Sequence, residues 1–147
     1  MSDIILPDRK EIIEENRKEI ERRLKRNPSE LEAFCVDEDK LDLILREMSE
    51  IGNNFSHEEK IIMKSSYLMG SIAWAQPFCG ANKYTGIFMA MIFMRDNGFD
   101  LDVSPYDEAE LRELLYEVQG DRNTIDSKIL EKLFLYNKQR IVKYESK

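Results

Sequence analysis

Eight consecutive apolar residues, Ile87 to Met94, lie between Lys83 and Arg95 and constrain this chain more than any other stretch. The run is too short to span a bilayer and leaves no polar side for water, so it predicts a helix that is apolar all round and therefore buried. Other helices must cover it. Pro77 and Gly80 mark a short loop immediately before it, and Asn97-Gly98 marks a turn and left-handed cap after it.

The covering helices are legible from caps and spacing. Asp8 with Glu11 reads as a capping box opening a helix over 8–26, whose apolar stripe of Ile12, Ile13, Ile20 and Leu24 is thin, as in a surface helix. Asn27-Pro28 ends it, and residues 29–36 fit either one more helical turn or a short extended segment. Asp37 caps a helix carrying Leu41, Ile44, Leu45, Met48 and Ile51 and closing at Gly52. Ser56 with Glu59 opens the next, which buries Ile61, Ser65, Leu68 and Ile72 and keeps Ser66, Gly70, Ser71 and Ala73 small for close approach to the apolar helix. Ser104-Pro105 predicts a helix start, with Leu111, Leu114, Leu115 and Val118 on one face and Gly120 at the end. A last helix is expected from Thr124 towards Tyr144, burying Ile129, Leu130, Leu133, Phe134 and Ile141. The expectation is an all-α fold of about six or seven helices around one central buried helix, in a single domain over 1–147.

The loop before the apolar run presents free backbone N–H groups and the positive end of a helix dipole, the arrangement that receives a phosphate. Gly80, Ala81 and Asn82 would supply donors and Lys83 a charge; the plainer alternative is a helix start capped by Asn82, with Lys83 in solvent. Cys79 near that positive end invites a lowered thiol pKa, although no histidine is near it in sequence and an inert thiol is the simpler reading. The one histidine, His57, is expected to be exposed at a helix start. Tyr67, Trp74 and Tyr84 suggest either a stacking wall or ordinary packing, and Phe88, Met89, Met91, Phe93 and Met94 read as core.

The segment QPFCGANKYTG, Gln76 to Gly86, resembles the His-Pro-Phe-x-Asp-Gly/Ala-Asn-Lys-Arg-Thr-Ala signature of Fic/Doc (death-on-curing) proteins. The flanking KSSYLMGSIAWA and IFMAMIFMRDNGFDLDV extend the similarity over roughly residues 60 to 120. The resemblance implies a Fic/Doc-like core over 37–146, a toxin–antitoxin type of setting, and transfer of a nucleotidyl or phosphoryl group, most often AMPylation, to a target protein. It also implies a flap near the loop, for which residues 29–36 are the one place. Positions 76, 80 and 84 depart from the signature. Gln76 replaces the catalytic histidine, Gly80 the metal-binding acid, and Tyr84 the arginine. A glutamine cannot take a proton near neutral pH, and losing general base catalysis costs roughly 10²–10⁴ in rate. Gly80 offers Mg²⁺ no carboxylate. The regulatory Ser/Thr-x-x-x-Glu-Gly/Asn pattern finds its nearest match in Glu11 to Asn16, without the hydroxyl residue.

The expectation is thus a catalytically inactive domain that binds a protein partner, with or without ATP or another nucleotide at Gly80, Ala81, Asn82 and Lys83, with Mg²⁺ doubtful. An active transferase with a non-standard site is the alternative. A further one is an interaction module, because residues 30–59 carry ten acidic and two basic residues. The formal net charge of −7 speaks against nucleic acid as a general partner. With no stretch resembling a membrane span or signal peptide, and too few cysteines for a disulfide framework, a cytoplasmic protein is the default expectation.

Overall fold

A computed structural model describes residues 3–26, 34–120 and 127–144. The fold is all-α, as expected: among the described residues, six helices and one two-stranded ribbon. They are α1 (Arg9–Arg26), α2 (Glu38–Glu50), α3 (His57–Ala75), α4 (Asn82–Asp96), β1 (Phe99–Leu101), α5 (Ala109–Gly120), α6 (Ser127–Arg140) and β2 (Ile141–Lys143). No described helix is long and apolar enough to cross a membrane.

The helix starts form as their side chains dictate. Asp8 and Glu11 bond each other's backbone N–H at 3.2 and 2.9 Å, closing the capping box of α1. Asp37 accepts from the Lys40 N–H, and Ser56 from the Glu59 N–H. At the end of α4, Gly98 takes φ +90°, and the Asn97 side chain clamps Ile5 through both its N–H and its C=O at 2.8 and 2.9 Å. The N-terminal segment is thereby fixed across the base of α4.

The apolar run lies inside α4, where Ile87, Met89, Ala90, Met91, Phe93 and Met94 are all buried. Centrality is nevertheless shared. α3 packs against α2, α4, α5 and α6, whereas α4 packs against α1, α3 and β1. The two central helices meet at Gly86, where an added Cβ would stand 2.8 Å from the Met69 carbonyl oxygen of α3. The predicted close approach is real, and at this contact the small residue is on α4. Polar links fasten the rest: Asn137 of α6, fully buried, donates to the Ser66 hydroxyl at 2.9 Å, and Tyr67 bonds Glu47 of α2.

Three expectations need correction. Ser104-Pro105 does not begin a helix: Ser104 and Asp107 close a turn at 2.9 Å, and α5 starts at Ala109. The last helix stops at Arg140, and residues 141–143 pair antiparallel with 99–101, with Leu101 opposite Ile141. Ile141 and Val142, β-branched, suit a strand better than a helix end. Finally, α1 is more than a thin-striped surface helix, since it buries Glu15, Asn16 and Glu19 beside Ile12 and Ile20. The expected helix end at Asn27-Pro28 and the helix start at Thr124 lie outside the described residues.

Gly86→Ala tests the central contact. In an open helix such a change stabilises by about 1 kcal/mol. Here overpacking against backbone reverses the sign, and a loss of about 1–3 kcal/mol is expected from urea denaturation.

Candidate functional site

The six residues from Gln76 to Ala81 turn the chain from α3 into α4. So short a reversal needs unusual backbone, and both ends are left-handed: Gln76 at φ 54° and Ala81 at φ 61°. Each costs a non-glycine residue roughly 1–2 kcal/mol. What holds them is Asn82. Its side chain accepts from the Phe78 N–H at 3.1 Å and donates to the Phe78 carbonyl at 3.0 Å and to Gln76 Oε1 at 3.1 Å. Gln76 Nε2 donates in turn to the Ala73 carbonyl at 2.7 Å.

The Asn82 side chain therefore does not cap α4; it closes the loop on itself. Ala81 is the N-cap and has no side chain to offer, so the first N–H groups of α4 receive no side-chain cap. Gly80 is half-buried, and its carbonyl accepts from Asn16 of α1 at 2.9 Å. Asn16 also donates to the Thr85 hydroxyl at 3.1 Å. Asn16, the last residue of the Glu11 to Asn16 segment, thus lies on the side of α1 that packs against this loop and α4. Lys83 does not stand free in solvent: Nζ donates to the Tyr116 hydroxyl at 3.1 Å and lies 4.4 Å from that ring's centre. The ammonium holds the Tyr116 hydroxyl below its ordinary pKa.

Cys79 carries no free thiol. It is bonded to Cys35, and the two strands of chain run antiparallel there: Val36 bridges Phe78, the Asp37 N–H donates to the Pro77 carbonyl at 2.7 Å, and the Cys79 N–H to the Cys35 carbonyl at 3.3 Å. Both readings of Cys79 as a free thiol, inert or reactive, are corrected to a crosslink, a bond that persists in oxidising compartments. Of the segment proposed as a flap, residues 29–33 lie outside the described residues, and residues 35–37 are extended along the loop.

Beside the loop, α1 and the first turns of α4 build a layer of cations on rings. Arg22 lies 4.9 Å from the Phe88 ring centre, Arg23 5.8 Å from Tyr84 and Arg26 5.2 Å from Tyr106. Tyr84 and Tyr106 pack at 4.9 Å between centroids, so Tyr84 is a packing residue as well as part of this layer. Beneath sits Glu19, fully buried, with Oε2 receiving Arg22 at 3.0 Å and the Tyr106 hydroxyl at 2.7 Å. Sequence reasoning missed this cluster because charges spaced three and four apart on a helix read equally well as a solvated face. Tyr67 is buried and Trp74 half-buried. The Met and Phe residues of α4 are core, as expected, apart from half-buried Phe88.

His57 is half-buried rather than exposed, and it starts α3 while Gln76 caps its other end. The two are separated by roughly 27 Å of helix, so His57 cannot act as base for the loop. The acidic 30–59 stretch is partly compensated within the chain, Arg9 meeting Asp42 at 3.2 Å and Glu38 at 3.7 Å, and Lys138 meeting Glu59 at 3.9 Å. Among the described residues, no group of three or more histidine, cysteine or acidic side chains is placed to hold a metal ion. Comparison with family models, with curated proteins and with solved structures finds no match to this chain.

Two outcomes check the site. Asn82→Ala leaves the buried Phe78 N–H without its acceptor and is expected to cost about 1–3 kcal/mol in denaturant melts. Tyr106 is pushed up to about 12 by burial and by its bond to Glu19. Its contribution to stability is therefore complete below pH 10 and lost as pH rises from 10 to 12. Over that window the stability of Tyr106→Phe should fall less steeply with pH than that of the wild type.

Proposed function

We propose that the chain is a Fic/Doc-like helical domain that does not catalyse transfer and acts by binding a protein partner through the face made by α1 and the start of α4. The observation that carries this reading is the closure of the loop: Gln76, where the resembled family has its base, is held by Ala73 and Asn82. It has no proton to exchange near neutral pH. The only histidine in the chain lies at the far end of α3. Two further features are consistent with the resemblance, namely two central helices joined by the signature loop, and a helix laid against that loop through Asn16.

The chemistry left to this face is recognition. Arg22, Arg23, Arg26 and Lys83 outnumber the buried Glu15 and Glu19, so the layer carries surplus positive charge over aromatic rings. Such a surface suits an acidic partner, with guanidinium groups already oriented by the rings. The uncapped N–H groups of α4 beside Lys83 add a place for a phosphate or nucleotide, held without Mg²⁺ because Gly80 supplies no carboxylate. An active nucleotidyl- or phosphotransferase is the competing reading, and it needs a base from outside the loop.

The test combines transfer and binding. Purified wild-type protein incubated with cell lysate, Mg²⁺ and ATP labelled at the α or γ phosphate is expected to transfer no label to any protein. Labelling that Lys83→Ala abolishes overturns the proposal. Partner binding measured by calorimetry should weaken on Arg23→Ala or Arg26→Ala and with added salt. Gln76→His with Gly80→Asp tests whether the scaffold still presents a nucleotide, and gained transfer would support the resemblance.

A further inference from the structure

The opposite end of α3 from the loop opens onto a cleft of about 370 Å³ lined by Asp3, Ser49, Asn53, His57, Lys60 and Lys64, among others. His57, Lys60 and Lys64 are spaced three and four apart, which brings all three basic groups to one face of the helix. The cleft lies in the size range of small-molecule sites. His57 is the first residue of α3, so the positive end of the helix dipole adds to the field there.

The lysines are placed at a cost. Lys64 is only 2% exposed, and its ammonium donates to the Met48 and Ser49 carbonyls at 2.7 and 3.1 Å at the end of α2. An ammonium has three protons, and these two bonds use two. Among the described residues neither Lys60 nor Lys64 makes an ion pair, and the lining contains a single carboxylate, Asp3. Burial lowers the Lys64 pKa and the nearby Lys60 charge lowers it further. Two ammonium groups that repel each other in a concave site are stabilised by an anion placed between them.

We propose that this cleft binds the phosphate group of a small phosphorylated molecule, Lys60 and Lys64 donating from their ammonium groups and His57 from its ring. Two lysines and an imidazole over one carboxylate match a dianion better than a singly charged carboxylate. The Asn53 side-chain amide, which donates to the Ser49 carbonyl, stays on the rim. The site uses none of the residues of the α1 and α4 face and stands apart from the function proposed above.

Because the chain has one histidine, the His57 ring is a unique NMR reporter. Inorganic phosphate titrated into the full chain at constant ionic strength is expected to shift the His57 ring proton saturably. Lys60→Gln, at a half-buried position without an ion pair among the described residues, should keep the circular dichroism of the wild type and weaken phosphate binding roughly tenfold, the loss of one charged hydrogen bond. Sodium acetate at the same ionic strength should leave the signal in place. The proposal is overturned if phosphate gives no saturable shift, if acetate shifts the signal as strongly, or if Lys60→Gln binds phosphate as tightly as the wild type.

Discussion

The fold depends on how closely two helices can lie. With hydrogen in place of a side chain at Gly86, α4 rests on the backbone of α3 at Met69. Ile72, Met69 and Leu68 of α3 and Ile87, Ala90 and Phe93 of α4 are buried in one core cluster, and the helix pair forms the floor on which the others pack. The chain between the two helices must then reverse within six residues, and this forces Gln76 and Ala81 into left-handed backbone. Strained positions of this kind persist only where their surroundings over-determine them. Asn82, the Cys35–Cys79 bond and the strand-like pairing of 35–37 with 77–79 supply that surplus of constraint. Tight packing and a rigid loop are one fact seen at two places.

The interface of α1 is built on a different principle. Ile12 and Ile20 bury apolar surface, but Glu15, Asn16 and Glu19 are buried on the same helix. Removing a carboxylate from water is costly unless it is paired and hydrogen-bonded, and Glu19 is paired with Arg22 and bonded to Tyr106. An apolar stripe alone would allow α1 to slide or rotate on α4. A buried carboxylate that needs Tyr106, and an amide that needs Gly80 and Thr85, select one register. The same cluster brings arginines onto the rings of Tyr84, Phe88 and Tyr106, so the docking of α1 also creates the cationic face.

How much of this was legible follows from which interactions are local. Caps are local, and Asp8 with Glu11, Asp37, Ser56 and Gly98 were all readable because each side chain or glycine acts within a few residues of itself. The apolar run of α4 was readable because burial on every side leaves a composition no surface helix has. The ribbon was not readable, since three residues such as Phe99–Leu101 are too few to show an alternation and their partner lies some forty residues on. The disulfide pairs positions 44 residues apart, which two cysteines in a sequence of this length cannot announce. Asn82 stood out in the sequence, but its role was open to several readings, because an amide placed after a loop can cap a helix, meet a ligand or bond back. Only the left-handed turn at Ala81, which brings the Asn82 amide over Phe78, decides between them.

The two ends of α3 differ in a way that bears on chemistry. At its C-terminal end the polar groups are committed: Gln76 and Asn82 to each other, the Gly80 carbonyl to Asn16, Lys83 to Tyr116. A reacting group needs a base within reach, and the loop's hydrogen bonds are already spent on holding strained backbone. Substituting a histidine for Gln76 would have to break the bonds to Ala73 and Asn82, so the conformation that makes the loop rigid also works against recovering a base there. At the N-terminal end the reverse holds. Lys60 and His57 have no ion-pair partner among the described residues, and Lys64 is held by carbonyls that orient its charge without cancelling it. Preorganised, uncompensated charge in a cleft is what an anion site requires, whereas compensated polarity is what a structural joint requires. By that physical criterion the side chains of the signature-like loop make a joint, whereas the other end of the helix keeps charge that is oriented and not cancelled.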